Sequence, residues 1–257
     1  MILVSWNLAG RVRRLGEQAE RLLDLEPDVL CLQELTPRTL PVWRDRLQVA
    51  GYLAVEHPAL ARSEDRRPLF VMTACSQPAR AIAVAEVPWP ERVLAMRMRD
   101  GTEVLNVHSP ISTRPNLVKI RTHRAVYQHL TQSKQGARIL CGDLNTPRRE
   151  HPDGSVWTFA RDRYGRLRPD RGEEWDEAEL LLIRGLETSG FRDAFRSLHG
   201  YTGREISWGW RRWRGGYRLD HLLTAGLRVD DCSYEHRWRE DGLSDHSALI
   251  ATLLPPG

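Results

Sequence analysis

Lysine is nearly absent from this chain: Lys119 and Lys134 stand against 36 arginines in 257 residues. Its basic charge is therefore carried by planar guanidinium forks, which match phosphate better than a point-charge ammonium does. No run of about 18 apolar residues occurs, which excludes a membrane-spanning helix. The first ten residues, MILVSWNLAG, lack the basic stretch and long apolar run of a secretory leader. Cysteine is sparse and scattered. Cys31, Cys75, Cys141 and Cys232 form no Cys-x-x-Cys pair, and the first three lie in apolar runs of strand length. That pattern argues against disulfides or a zinc site and fits buried, reduced thiols in a cytoplasmic protein. There is no internal repeat of the solenoid kind.

What is present is enough to fold. Hydrophobic residues make up 41% and charged residues 28%, which excludes a disordered chain. The net charge of +4 permits an anionic partner. The length suits one large domain or two small ones. We read residues 1–257 as one domain with a charged loop excursion at about 147–174.

Apolar runs of strand length recur at 2–8, 28–33, 70–75, 81–87, 93–98, 103–107, 138–142, 206–210, 219–224 and 248–254. Some alternate, as at 95–99, which suits antiparallel strands with one wet face. Others, such as Val29-Leu30-Cys31-Leu32, are apolar throughout and suit strands buried on both sides. Leu15, Ala19, Leu22 and Leu23 share one helical face, and that helix should end near Glu26-Pro27. Further helices are expected at 39–50, 116–133 and 175–188, and loops at 58–68 and 147–174. Strands outnumber helices and cluster in runs, so the fold class is α+β.

Polar residues cap these runs. Asn7 follows Ile2 to Trp6, Glu34 follows Val29 to Gln33, and His108 follows Val104 to Val107. Asp143 and Asn145 follow Ile139 to Gly142. Asp220 lies in RLDHLL, and Asp245-His246 precedes the run at 248–254. Catalytic groups favour strand ends held by a rigid scaffold. Hard oxygen donors with a few imidazoles select Mg²⁺ or Mn²⁺, or Ca²⁺, over zinc.

In order and spacing, SWN, LQE, NVHSP, GDLNTP, RLDH and LSDH resemble the motifs of the exonuclease–endonuclease–phosphatase superfamily. GFRDAFRSLHGYT followed by SW resembles a segment of its DNA-repair nucleases. The resemblance covers almost the whole chain. It implies a four-layer α/β/β/α sandwich of two mostly antiparallel or mixed sheets packed face to face. It also implies a Mg²⁺ site, with Mn²⁺ possible, where the sheets open. Asn7 and Glu34 then resemble the metal-site pair, with Asp245 a further carboxylate beside it. Asp143 resembles the residue that orients or deprotonates the attacking water, and Asn145 the group that positions it and the phosphate. Asp220 resembles the partner that orients His246, and His246 the imidazole on the scissile phosphate. His108 stands where pancreatic-type deoxyribonucleases have histidine and base-repair endonucleases have tyrosine. That difference, Leu35-Thr36-Pro37-Arg38 after Glu34, and RPLFV at 67–71 weigh against abasic-site specificity.

The segment 204–218, REISWGWRRWRGGYR, joins five arginines to three tryptophans. Arginine pairs with phosphate and tryptophan stacks on bases. Arg204, Trp208, Trp210, Arg211, Arg212, Trp213, Arg214 and Arg218 are therefore the expected nucleic-acid contacts. The resulting expectation is a divalent-metal-dependent nuclease, acting on DNA, with no membrane and no protein partner. Two other readings stay open: a phosphatase or phosphodiesterase on small or lipid phosphates, and a nucleic-acid-binding module without turnover.

Overall fold

The computed structural model describes residues 1–59, 68–111, 117–132, 136–210 and 215–256. The expected loop at 58–68 lies mostly outside that set. So do Asn116 and Ser133, at the ends of the third expected helix, and Arg211, Arg212, Trp213 and Arg214.

Two six-stranded sheets form the centre of the described structure. The first runs Arg228–Glu235, Ala248–Leu254, Ile2–Asn7, Val29–Leu35, Phe70–Cys75, Ala54–Glu56 from edge to edge. The second runs Arg192–Asp193, Asp220–Ala225, Arg138–Asp143, Glu103–His108, Val93–Met98, Ala79–Ile82. Each sheet has one parallel pair at its centre. Ile2–Asn7 pairs in parallel with Val29–Leu35, and Glu103–His108 with Arg138–Asp143. The helices Leu15–Leu23 and Leu117–Gln132 make the two crossovers that parallel pairing demands. The flanking ladders are antiparallel.

The doubly apolar runs explain the layering, because successive strand residues face opposite sides. Val29 and Cys31 pack between the sheets, while Leu30 and Leu32 pack under the helices Leu15–Leu23 and Leu40–Val49. In the second sheet Ile139 and Cys141 face inward, and Leu140 meets Val126 and Leu130 of its own crossover helix. The result is the four-layer sandwich. All four cysteines are buried free thiols. No helix among the described residues is long and apolar enough to cross a membrane.

Several elements differ from the sequence reading. The strand Val93–Met98 is buried on both faces except at Arg97, so it has no wet face. The strand expected at 81–87 lies at Ala79–Ile82. In the edge strand Arg228–Glu235, which the sequence reading did not include, Val229, Cys232 and Tyr234 face the core, but a register shift between Val229 and Asp231 breaks their alternation. The excursion holds a two-stranded ribbon, Arg149–Glu150 against Val156–Trp157, then an isolated bridge between Arg161 and Leu167. The fourth helix begins inside it, at Gly172, and ends at Ile183.

A polar peg joins the sheets beneath the open end. Asn106, in the second sheet, donates from Nδ2 to the Met72 carbonyl at 2.9 Å and the Leu32 carbonyl at 3.2 Å, both in the first. Its Oδ1 accepts from Gln33 Nε2 at 2.8 Å. With a further bond to the Thr73 hydroxyl, all these contacts are buried, so replacing Asn106 strands groups that water cannot reach. Asn106→Leu should lower stability by about 1–3 kcal/mol in urea unfolding; an unchanged midpoint would show that packing alone sets how the sheets meet.

Candidate active site

Both parallel pairs end on the same rim. Asn7 and Glu34 come from the first sheet, and His108 and Asp143 from the second. Strands running antiparallel to these begin there, which brings Asp220 opposite Asp143 and His246 just ahead of Ala248–Leu254. Open sheets bind ligands at the carboxyl ends of parallel strands for this reason: side chains converge where the backbone ladder stops.

Local backbone geometry aims these side chains. Glu34 has φ of 58° and sits where the pairing of its strand shifts register between Leu32 and Leu35. Asn145 has φ of 50°. Non-glycine residues in this region cluster at functional sites. Gly142, just before Asp143, has φ of 124°, and a Cβ there would lie 2.0 Å from the Val107 carbonyl oxygen. The two central strands of the second sheet can approach so closely only because that residue is glycine.

Asn7 clamps the carboxylates. Its Nδ2 donates to Glu34 Oε1 at 3.1 Å and to Asp143 Oδ2 at 3.0 Å, and its Oδ1 accepts from the Ala9 amide. Asp143 is 2% exposed. Burial raises its pKa to about 7, with Asp220 and Glu34 adding to the rise and His246 and the Asn145 amide opposing it. Burial would lower His246, but Asp220, bonded to its Nδ1 at 2.8 Å, together with Asp143 and Asp245 holds it up at about 10. His246 is therefore an imidazolium whose Nε2 stands 3.8 Å from Asp143 Oδ2. Ser207 supports this pair by accepting the Leu219 and Asp220 amides on its hydroxyl.

His108 is the opposite case. Burial, then Arg92, then His246 push its pKa well below the usual range. Arg92 Nη1 lies 3.5 Å from His108 Nδ1. Arginine can only donate, so Nδ1 accepts and Nε2 carries the proton. That Nε2 lies 3.5 Å from Glu34 Oε1 and 4.0 Å from Asp143 Oδ2. His108 is a neutral donor facing the carboxylates.

The donor set fits a hard divalent cation. Glu34, His108 and Asp143 bring ligand-type atoms within 4.8 Å of one another, as do Asp143, Asp220 and His246. Asp245 lines the same pocket, and its buried Oδ1 has no hydrogen-bond partner among the described residues while Oδ2 accepts from Trp208 Nε1 at 3.2 Å. Carboxylates dominate and thiolate is absent from these clusters, which suits Mg²⁺ or Mn²⁺. Glu34 and Asp245 would hold such an ion, with Asn7 beside them.

A network that sequence reasoning did not find stands behind Asp143 and Asn145. The Asn145 amide donates to Asp143 Oδ1, and Asn145 Nδ2 to the Ser109 carbonyl. Lys119, 1% exposed, donates to the Asn145 carbonyl at 2.7 Å and to Glu179 Oε1 at 2.8 Å. Glu179 also accepts from Thr146, Trp175 and the Phe159 amide. Ser109 bonds His123, which is buried in the crossover helix.

The pocket above these groups has a volume of about 560 Å³. Trp208, Trp210, Tyr217 and Phe159 form its aromatic wall; Trp208 and Tyr217 stack at 3° and 6.1 Å, and Phe159 meets Tyr217 edge-on. Arg168 and Arg171, from the excursion, also line it. Trp208 and Trp210 thus reach the site, and Trp210 is 42% exposed. Arg204 is exposed but lines a different cavity. Arg218 departs from expectation. It is 3% exposed, bonded to Glu150 at 2.6 Å and to Asp193 at 2.7 Å, and so serves inside the fold rather than on a nucleic-acid surface. Phe159 and Tyr217 were not singled out in the sequence, though Tyr217 lies within the segment 204–218; Arg168 and Arg171 belong to the basic stretch 161–171, which reads equally as phosphate contacts or as a solvated loop.

The profile of the Endonuclease/Exonuclease/phosphatase family matches residues 4–246. The chain belongs to that family. It is therefore a hydrolase of a superfamily of metal-dependent nucleases and phosphatases. Among solved structures, an AP endonuclease from Archaeoglobus fulgidus has TM-score 0.72 at 21% identity. The 3′ phosphatase NExo from Neisseria, bound to a product DNA hairpin, has 0.70 at 20%. A humanized D. rerio TDP2 has 0.66 at 17%. In each case 98% of both chains is covered. At such identities the likeness is one of fold. No curated protein sequence matched the chain.

Two outcomes follow from this geometry. Lys119→Met should lower turnover of a phosphate-ester substrate by about 10²-fold with little change in KM, because Asn145 and Asp143 lose their backing. Lys119→Arg should restore part of it; equal KM and kcat losses in both variants would contradict a positioning role. The second concerns acid stability. Burial would raise Glu150, but Arg218 and then Arg196 hold it down at about 2, from an ordinary 4.5. Asp193 is lowered as well, chiefly by Arg218. Both depressed carboxylates stabilise the fold above pH 4.5 and lose that contribution as pH falls towards 2. Glu150→Gln should cost about 3–5 kcal/mol at pH 7 and flatten the acid-unfolding profile in that window, measured by urea unfolding at stepped pH.

Proposed function

We propose that the protein is a Mg²⁺- or Mn²⁺-dependent phosphodiesterase that hydrolyses nucleic-acid phosphodiester bonds, with DNA as its substrate class. The observation that carries this reading is one pocket joining buried Asp143 and the hydrogen-bonded Asp220–His246 pair to an aromatic wall and two arginines. Aromatic faces take bases or sugars, and guanidinium forks take phosphates. The AP endonuclease and the DNA-bound 3′ phosphatase among the fold neighbours point the same way on substrate.

Asp143, poised near neutral pH, takes a proton from the attacking water, a contribution of about 10²–10⁴-fold for a positioned base. Asn7 and the Asn145 amide fix its orientation. His246, charged and held by Asp220, donates to a non-bridging phosphate oxygen, and neutral His108 offers a second donor from Nε2. Glu34 and Asp245 would hold a divalent ion, which would supply positive charge near the phosphate and the leaving sugar oxygen. No residue need attack covalently. We read 1–257 as a single domain, since both sheets supply these groups.

The aromatic wall favours a nucleotide over an inositol or other small phosphate. The complete set of Asp143, Asn145, Asp220 and His246 weighs against a binding module without turnover. Labelled duplex, single-stranded, abasic, 3′-phosphorylated and RNA oligonucleotides, incubated with Mg²⁺, with Mn²⁺ and with EDTA, provide the test. Cleavage should require metal and fall at least about 10³-fold in Asp143→Asn. Cleavage unaffected by EDTA would sink the metal-dependent mechanism; phosphate release from phosphoinositides without attack on nucleic acid would replace the nuclease reading.

A further inference from the structure

Beside the pocket lies a second cavity of about 470 Å³ that the proposed chemistry leaves unused. Arginines dominate its lining, and the two carboxylates there are engaged. Glu150 is held by Arg196 and Arg218, each at 2.6 Å. Glu205 accepts the Ile206 amide at 2.7 Å and stands 3.1 Å from His236 Nε2. Three further arginines, Arg148, Arg149 and Arg204, form no direct salt bridge among the described residues, and Arg148 acts on Asp162 only at longer range. Arg149 lies over the Trp157 ring at 5.5 Å, and Arg204 donates to the Gly216 carbonyl at 3.2 Å. The floor sets Arg196 and Arg218 against Glu150, Asp193 and Glu205, and the rim arginines leave the cavity with an excess of positive charge.

Two features tie it to the catalytic pocket. The chain runs directly from Asn145 through Thr146 and Pro147 into Arg148 and Arg149. Tyr217 lines both cavities, so the hairpin Trp208–Trp210/Gly215–Tyr217 is the wall between them. A strand whose phosphate sits at Asp143 and His246 and that continues past Tyr217 would meet this rim.

We propose that the cavity is a phosphate subsite that holds a backbone phosphate of the strand being cut, through Arg148, Arg149 and Arg204. It rests on the nuclease reading. Guanidinium forks bind non-bridging oxygens bidentately and carry no base information. The subsite should thus add affinity uniformly across sequences and with strong salt dependence. Its effect should fall on KM rather than kcat.

The test is fluorescence anisotropy of labelled oligonucleotides in EDTA over a salt series. Wild type is compared with Arg148→Ala/Arg204→Ala and with Arg204→Glu, and a thermal melt checks the fold of each. Strands are matched in length, with and without a terminal phosphate. The double variant should bind about 10-fold more weakly, with the slope of log K against log salt reduced by about 1–2, whether or not the end is phosphorylated. A slope unchanged in protein that binds and cuts overturns the subsite alone. An effect confined to terminally phosphorylated strands overturns the backbone assignment in favour of end recognition. No binding by wild type overturns the nuclease reading, and the subsite with it.

Discussion

Asn7 and Glu34 belong to one sheet, His108 and Asp143 to the other, and the chemistry depends on how closely the two sheets are held where they end. Asn7 spans the gap with one amide on two carboxylates. That contact fails if either sheet slides by a residue. Asn106 and Gln33 pin the sheets just below it. Gly142 lets the second parallel pair close to the distance the rim requires.

Burial at that rim also sets the charges. Asp143 and His246 are both removed from water, yet they move to different effect. Asp143 rises towards neutrality because desolvation dominates, whereas His246 stays charged because Asp220 outweighs desolvation. A base and an acid thus face one pocket at neutral pH. Pushing the pKa values of neighbouring groups apart is how acid–base sites work in general. The net charge of +4 understates the surface this leaves, since Glu34, Asp143, Asp220 and Asp245 are gathered around the site.

Much of this was legible in the sequence. Each central strand is an apolar run, and the residue that ends it is polar, so Asn7, Glu34, His108 and Asp143 announce themselves by position. The runs apolar throughout foretold strands covered on both sides. What stayed hidden depends on pairings distant along the chain. Lys119 and Glu179 lie 60 positions apart, and the sequence offers no hint that they meet behind Asn145. Arg218 reads as part of a basic patch, and only Glu150 and Asp193 reveal it as a buried tie. The edge strand Arg228–Glu235 hides because the register shift after Val229 breaks the alternation that would disclose it. The excursion reads as a loop because its ribbon is two residues a side.

The central claim is that the rim carries a divalent-metal site on Glu34 and Asp245 at the end of the first sheet, facing Asp143 and His108 of the second. Titration of Mn²⁺ followed by electron paramagnetic resonance tests it without any substrate. The account predicts saturable binding by wild type, lost in Glu34→Gln, weakened in Asp245→Asn and kept in Arg148→Ala. Binding that survives Glu34→Gln undiminished, or fails to saturate in wild type, would contradict it.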